Sequence, residues 1–307
     1  MCFIKNTYPN IGVMMWDDMF RNANVKDIER SKVNRIVTPV VWKYVVDVDT
    51  FFKPDLWMKY SRLFRTIWFG SAFKGATGSD QYITDISYHY ENHIGWLKIL
   101  SKLSSTVHVG GTMITGWQRY DHFAVLAELL PVSIPSLAVC LSTMRKAGVS
   151  KSELEHINEL LGCRPDAPIQ WSLDTRDRPE PKCSFPGHKV FEGVYMVKNA
   201  QYYASFLNSK GSLLAWHKEY NLKRDFSHSS RIKFLLEKTS KGYTYVTKAE
   251  AIMNSELPKY FSEETHVEWM ETNIKPLKDL LQSKIAEAER LLKLDTWPRR
   301  PIHNIIN

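Results

Sequence analysis

The sequence has few of the features that mark secreted, membrane-spanning or metal-stapled domains. Its four cysteines, Cys2, Cys140, Cys163 and Cys183, show no Cys-x-x-Cys spacing, which argues against a structural zinc site. No Asn-x-Ser/Thr sequon occurs, the N-terminus carries no long apolar run, and no stretch is long enough to cross a bilayer. Neither export nor a membrane partner is expected, and a reducing cytosolic or nuclear compartment is the default. Cys140 lies inside an apolar helical pattern and reads as a buried free thiol. The spacing of Gly70, Gly75 and Gly78 is not that of a phosphate loop, and Ser71 lacks the Gly-x-Ser-x-Gly frame of a hydrolase elbow. No His-rich set accompanies the carboxylates, so no metal or other cofactor is expected.

Charge is present but not concentrated. The net charge of +8 arises from 17 Lys and Arg against 12 Asp and Glu in residues 1–150, and 24 against 21 in residues 151–307. An excess spread over both halves does not make a nucleic-acid surface, and Arg299-Arg300 is too short to be a binding arm. Nucleic acid is not an expected partner. Aromatics are the unusual component, with 10 Trp and 14 Tyr in 307 residues. Such side chains serve either as core mass or as flat apolar faces on which sugar rings stack.

The first half of the chain repeats one layout. Apolar runs at residues 11–16, 35–42, 66–69 and 112–115 read as strands, the first of them buried on both faces. Each is followed by a polar loop and a helical pattern, with a Trp at or near each strand end: Trp16, Trp42, Trp68 and Trp117. Expected helices include one opened by Pro54 that carries Leu56, Tyr60 and Leu63. Another is expected over residues 83–103. After the fourth strand, one helix is expected to about Leu130 and a second over 135–147, separated by Pro131 and Pro135. Residues 70–80, rich in Gly and Ser, read as a loop. Four strand-helix units in sequence predict a parallel sheet with helical crossovers, the building pattern of a (β/α)8 barrel. Only four of the eight units such a barrel needs are found.

From Val149 the pattern changes. A short amphipathic helix over 151–163 leads into a connection over 164–187 that holds five prolines. The remainder reads as helical, near 189–209, 212–222 and 228–238, with a long helix over 265–293. Its apolar positions Met270, Ile274, Leu277, Leu281, Ile285, Ala288 and Leu292 form one buried stripe, and Pro276 predicts a kink or break within it. Three regions result: residues 1–148, a connecting segment 149–187, and a helical region 188–307.

Several side chains could carry chemistry. In Asp17-Asp18 the two acids point to opposite faces if the strand continues, so one at most enters a cleft; Asp17 is taken as a polar ligand contact. Lys74 is a candidate Schiff-base lysine only in principle, since nothing adjacent in sequence lowers its pKa. Glu263-Glu264 is accounted for by the dipole of a helix start. The densest group is Gly116-Trp117-Gln118-Arg119-Tyr120-Asp121-His122-Phe123, at a strand end, where α/β proteins meet their ligands.

Four segments of this half together resemble a known family. They are Trp16-Asp17-Asp18-Met19, Pro39-Val40-Val41-Trp42-Lys43-Tyr44, Ser71-Ala72-Phe73-Lys74-Gly75-Ala76-Thr77-Gly78 and Gly116-Trp117-Gln118-Arg119-Tyr120-Asp121-His122, followed by Leu129-Leu130-Pro131 and Ile134-Pro135-Ser136-Leu137-Ala138. In this order they are similar to the β-N-acetylhexosaminidases of glycoside hydrolase family 20. The resemblance covers residues 1–148 strongly and the helical remainder more loosely. It implies a (β/α)8 barrel to which this chain contributes strands five to eight, followed by an α-helical C-terminal region. It also implies retaining removal of terminal N-acetylglucosamine or N-acetylgalactosamine from glycans and glycoconjugates. The substrate's own acetamido group is the nucleophile in that reaction, oriented by an Asp while a Glu protonates the leaving oxygen.

The family's His-x-Gly-x-Asp-Glu motif does not occur in this sequence. The chain is therefore expected to be a truncated form, inactive alone, or else a non-catalytic carbohydrate-binding or interaction protein. By the resemblance, Trp16, Trp42, Trp68 and Trp117 wall the sugar pocket, and Asp17, Tyr44, Arg119, Tyr120 and Asp121 hydrogen-bond the sugar. Four parallel strands without partners leave open sheet edges, so self-association is also expected.

Overall fold

A computed structural model describes residues 2–103, 107–173, 179–207 and 213–294. The Arg299-Arg300 pair lies outside them. The chain divides into two compact units, Met1–Leu161 with Ile169–Leu173, and Gly162–Pro168 with Asp174–Asn307.

The first unit is built on a four-stranded sheet in sequential order with every neighbouring pair parallel. After α1 (Cys2–Thr7), β1 (Val13–Trp16) is followed by α2 (Asp18–Arg21) and α3 (Val25–Ser31). Next come β2 (Val37–Trp42), α4 (Val48–Phe51), α5 (Pro54–Leu63), β3 (Ile67–Lys74), α6 (Ile86–Leu103) and β4 (Val109–Gly116). Parallel neighbours need a crossover, and here helices supply it. The result is an arc of a (β/α) barrel, with α7 (Leu130–Lys146) and α8 (Lys151–Leu160) after it.

Alternation along the strands decides what each face carries. Val13, Met15, Val37, Val41, Ile67, Phe69 and Val109 pack with Trp57, Tyr60, Phe64, Trp96 and Ile99 in the core between sheet and helices. The intervening residues, Met14, Trp16, Val40, Trp42, Trp68, Gly70 and Ala72, therefore lie on the opposite, inner face. α5 starts with Pro54 in its first turn, where the missing N–H breaks no helical bond, and buries Trp57, Tyr60 and Leu63.

Several boundaries differ from the sequence expectation. β1 is a four-residue edge strand rather than one buried on both faces, and Met14 keeps 36% of its surface. β3 runs on to Lys74, so Gly70–Lys74 belongs to the strand and not to a loop; its last residues pair with Ala72 opposite Thr115 and Lys74 opposite Gly116. Residues 117–129 are a loop instead of a helix. α7 is one helix across both prolines: Pro131 is in its first turn, and Pro135 removes only a donor to a carbonyl of that turn.

The second unit is helical: α9 (His188–Ser205), α10 (Glu219–Lys223), α11 (Ser229–Glu256), α12 (Glu263–Trp269) and α13 (Lys275–Leu292). α11 reaches 28 residues, well past the expected stop near 238, and packs against α9 and α13. The break expected at Pro276 is a π turn over Met270–Ile274, in which the Lys275 N–H reaches back to the Met270 carbonyl. Cys163 and Cys183 are joined by a disulfide with S–S 2.09 Å. Their separation of 20 residues gave no local signal; backbone pairing of Lys182 with Arg164 and Ala167 brings them together. Cys140 is a buried free thiol whose pKa burial pushes up to about 12. Among the described residues, no helix is long and apolar enough to cross a membrane.

Two histidines of α6 are sealed beneath β3. His93 Nδ1 donates to the His89 carbonyl (2.7 Å), which leaves Nε2 to accept from the Ser71 hydroxyl (2.9 Å). Burial pushes both His89 and His93 down to about 4 from 6.5. Each is neutral in the fold, so between pH 6.5 and 4 the unfolded chain binds the extra protons and stability falls with pH. A shift of this size corresponds to roughly 3 kcal/mol per histidine. The urea midpoint is expected to drop between pH 7 and pH 5, and the drop should flatten in a His89→Gln/His93→Gln variant; equal slopes for the two proteins would refute the assignment.

Candidate functional site

The parallel order puts all four C-terminal strand ends on one side of the sheet, and there they shape a cavity of about 630 Å³. Its wall comes from Trp16 at the end of β1 and Asp18 beyond it, Trp42 at the end of β2 and the following residues to Val45, residues 75–78 after β3, Tyr88 of α6, and Trp117 and Tyr120 after β4.

The indoles converge across the inner face. Trp16 ends one edge strand and Trp117 follows the other, so three strand spacings of about 4.8 Å would hold their backbones some 14 Å apart in a flat sheet. Their ring centroids are 6.0 Å apart, so the two side chains lean toward each other over the inner face. Tyr44 bridges the remaining gap, 5.0 Å from Trp42 and 6.2 Å from Trp117. Gly70, on β3 between them, makes the convergence possible: a Cβ there would lie 2.9 Å from both Trp16 Cζ3 and Trp42 Cβ.

Polar groups fix the aromatics in place. Trp42 Nε1 donates to Asp18 Oδ2 at 2.8 Å. The Tyr44 hydroxyl hydrogen-bonds the side chains of Thr115 and Trp117, and burial pushes its pKa up, so it keeps its proton. Behind the β2 turn, Asn92 Nδ2 donates to the carbonyls of Lys43 and Val45, and Trp96 Nε1 to that of Lys43. These bonds hold a three-residue segment that has no regular structure of its own.

Of the residues singled out in the sequence, Trp16, Trp42, Tyr44, Trp117 and Tyr120 line the cavity. Four are placed elsewhere. Asp17 is fully buried below the wall: Arg21 binds its two oxygens at 2.6 and 2.7 Å, and the Tyr60 hydroxyl donates to it at 2.9 Å. The same guanidinium donates to the Trp42 carbonyl and sits 5.2 Å from the Trp42 ring, so Asp17 supports the wall from behind. Trp68 is the second residue of β3, near the other end of the strand, and covers Gly110 and Gly111. Arg119 pairs with Leu126 and donates from Nη1 to the Ala124 carbonyl at 2.9 Å. Asp121 Oδ1 accepts from the N–H groups of Phe123 and Ala124, an Asx turn that organises the loop. The tip of that loop holds Phe123 94% exposed.

The carboxylate on the wall is Asp18, the first residue of α2, and strand alternation does not place it: β1 ends at Trp16, and Asp17 already has helical backbone angles (φ −83°, ψ −1°). Asp17 and Asp18 thus face different environments and do not form an acid/base pair. Lys43 and residues 75–78 lie in the segments that carry the resemblance but are not among the residues it assigns to the sugar, and Val45 and Tyr88 lie outside those segments. Chemically, the cavity offers indole and phenol faces for a flat apolar surface, the Lys43 side chain, and one carboxylate to accept hydrogen bonds; no second carboxylate lines it among the described residues.

No protein-family model matches the chain. Hexosaminidase D of Homo sapiens is 31% identical over 306 residues, covering 97% of this chain and 60% of the human protein. Hexosaminidase D of Bos taurus is 42% identical over 160 residues, covering 52% of this chain and 46% of the bovine protein. The chain is homologous to these proteins and spans about 60% of the length of the human one.

Gly70 gives the sharpest test of the cavity floor. A Gly70→Ala substitution forces Trp16 or Trp42 to move and is expected to cost about 1–3 kcal/mol through overpacking. The near-UV circular dichroism of the indoles should change together with the urea midpoint. An unchanged near-UV spectrum would show that the Trp16 ring does not rest over Gly70 beside Trp42.

Proposed function

We propose that this chain carries the sugar-binding part of a β-N-acetylhexosaminidase site of the glycoside hydrolase family 20 type, with terminal N-acetylglucosamine or N-acetylgalactosamine as its ligand. The observation that carries the reading is the aromatic cavity itself: Trp16, Trp42, Tyr44 and Trp117 converge at the C-terminal ends of parallel strands. That is where barrels keep their chemistry, and the chain is homologous to hexosaminidase D.

Each wall group has a role in holding such a sugar. The indole faces take the apolar face of the pyranose ring and the methyl of its acetamido group, and exclude water from both. Asp18, anchored by Trp42 Nε1, accepts from a ring hydroxyl. Tyr44, which keeps its proton, presents a donor at the meeting point of Trp42 and Trp117. In the substrate-assisted reaction the acetamido oxygen must be pressed toward the anomeric carbon, and a close aromatic wall around the acetamido group serves that purpose.

Bond cleavage also needs a general acid for the leaving oxygen and a second carboxylate to orient the acetamido group. The cavity lining supplies only Asp18, which is engaged with Trp42. The polypeptide by itself is therefore read as a binder of N-acetylhexosamines that does not release product. The same wall in an assembly that supplies the acid pair would serve hydrolysis.

Calorimetric or saturation-transfer titration of the purified chain with N-acetylglucosamine, N-acetylgalactosamine and glucose tests this reading. At least one of the two hexosamines should bind at least about tenfold more tightly than glucose, about 1.4 kcal/mol. Trp117→Ala should weaken that binding by a similar factor, and an aryl β-N-acetylglucosaminide should remain uncleaved. Absence of binding by both hexosamines, or glucose binding equally well, would overturn the proposal.

A further inference from the structure

Two buried charged groups are left unused by the sugar-binding reading. Lys74, the last residue of β3, is 2% exposed, and Glu128, at the end of the loop after β4, is 0% exposed. Neither lines the cavity. Lone charges in such places are strongly disfavoured, and even a paired set gains little stability over apolar side chains of equal size. Their placement calls for a reason other than stability.

The contacts supply one. The Lys74 ammonium donates to the carbonyl of Trp117, while the Trp117 N–H donates to the carbonyl of Lys74 at 3.3 Å. Glu128 Oε2 accepts from the Gly75 N–H at 2.8 Å, and the Thr77 side chain hydrogen-bonds the same carboxylate. Its Oε1 is buried with no hydrogen-bond partner among the described residues, and Lys74 provides the opposing charge. Gly75 fits this junction because it has a φ of +72° and because a Cβ there would lie 2.2 Å from the Trp117 carbonyl oxygen. Burial pushes Lys74 down to about 8, against the pull of Glu128, and pushes Glu128 up.

Two segments of the cavity wall, residues 75–78 and Trp117, are thus tied to each other through groups that never touch the cavity. Both segments are loops, which without such ties would be the first parts of the unit to open. We propose that Lys74 and Glu128 are positioning residues that lock residues 75–78 and Trp117 into one rigid wall of the cavity. The consequence for ligand affinity rests on the sugar-binding reading above, whereas the rigidity of the wall does not.

A pair of apolar replacements separates positioning from stability. In Lys74→Met/Glu128→Leu the volume of the core is kept and the polar tie is lost; the removal of two buried charges offsets the cost of the Gly75 N–H left without its acceptor, so the urea midpoint should change little. Amide hydrogen exchange over residues 75–78 and at Trp117 should accelerate at least about tenfold, with the β2 amides unchanged. Glu128→Gln, which keeps an acceptor for the Gly75 N–H, should restore most of the protection. In a parent protein that binds N-acetylglucosamine, the apolar pair should also weaken that binding at least about tenfold.

Unchanged exchange over the wall in the apolar double variant would overturn the proposal, as would exchange that rises equally in β2. So would unaltered affinity in a sugar-binding parent whose wall exchange has risen. Failure of the parent protein to bind the sugar would count against the functional reading alone, since the exchange measurement decides the positioning role without any ligand.

Discussion

Trp16 reaches from β1 past β2 to rest its ring over Gly70 of β3, beside the Cβ of Trp42, and the room it uses is the side chain that Gly70 lacks. Fill that space and Trp16 or Trp42 must shift, and with them the Trp117 and Tyr44 rings packed against them. The supporting layer follows from the same geometry. Arg21 reaches from α2 to hold Asp17 and the Trp42 carbonyl together, and Asn92 and Trp96 of α6 hold the turn that follows. Each of these groups lies on the helix side of the sheet, so the aromatic wall is set from behind by the core that folds the unit.

The homology and the cavity bear on different questions. Hexosaminidase D is the relative over almost the whole of this chain, but the chain accounts for about 60% of the human protein. The cavity adds what identity cannot: Trp16, Trp42, Tyr44 and Trp117 are brought to one place, and the carboxylate beside them already holds an indole. The aromatic wall is held by contacts within the first unit.

How far the sequence could be read depended on whether the deciding interaction was local. Strand-helix repetition announced the parallel sheet, and a Trp at the strand end located Trp16, Trp42 and Trp117 at the cavity. Trp68 shows the limit of that cue: β3 continues six residues past it, to Lys74, and carries the true end of the strand away from the indole. Residues 117–129 misled for a different reason. Phe123, Leu126, Leu129 and Leu130 have helical spacing, yet the chain doubles back there: Arg119 and Leu126 form an antiparallel bridge and the Ala127 N–H donates to the Gln118 carbonyl, with the Asp121 side chain organising the turn between them. Lys74 and Glu128 are 54 positions apart in the chain, and only the pairing of β3 with β4 reveals that they share a junction.

The π turn before Pro276 has an effect that reaches beyond the proline. Periodicity in the sequence placed the stripe on Met270 and Ile274, four apart, whereas the buried residues are Trp269 and Ile274, five apart, followed by Leu277, Leu281, Ala288 and Leu291. One widened turn has taken in an additional residue, and since each residue advances an α-helix by about 100°, it resets the angular phase of everything before it. The segment acts as a splice rather than a hinge. Two helical runs whose apolar faces are out of step by one residue are brought into register, so that Trp269 faces the same interior as Leu281 instead of swinging toward solvent.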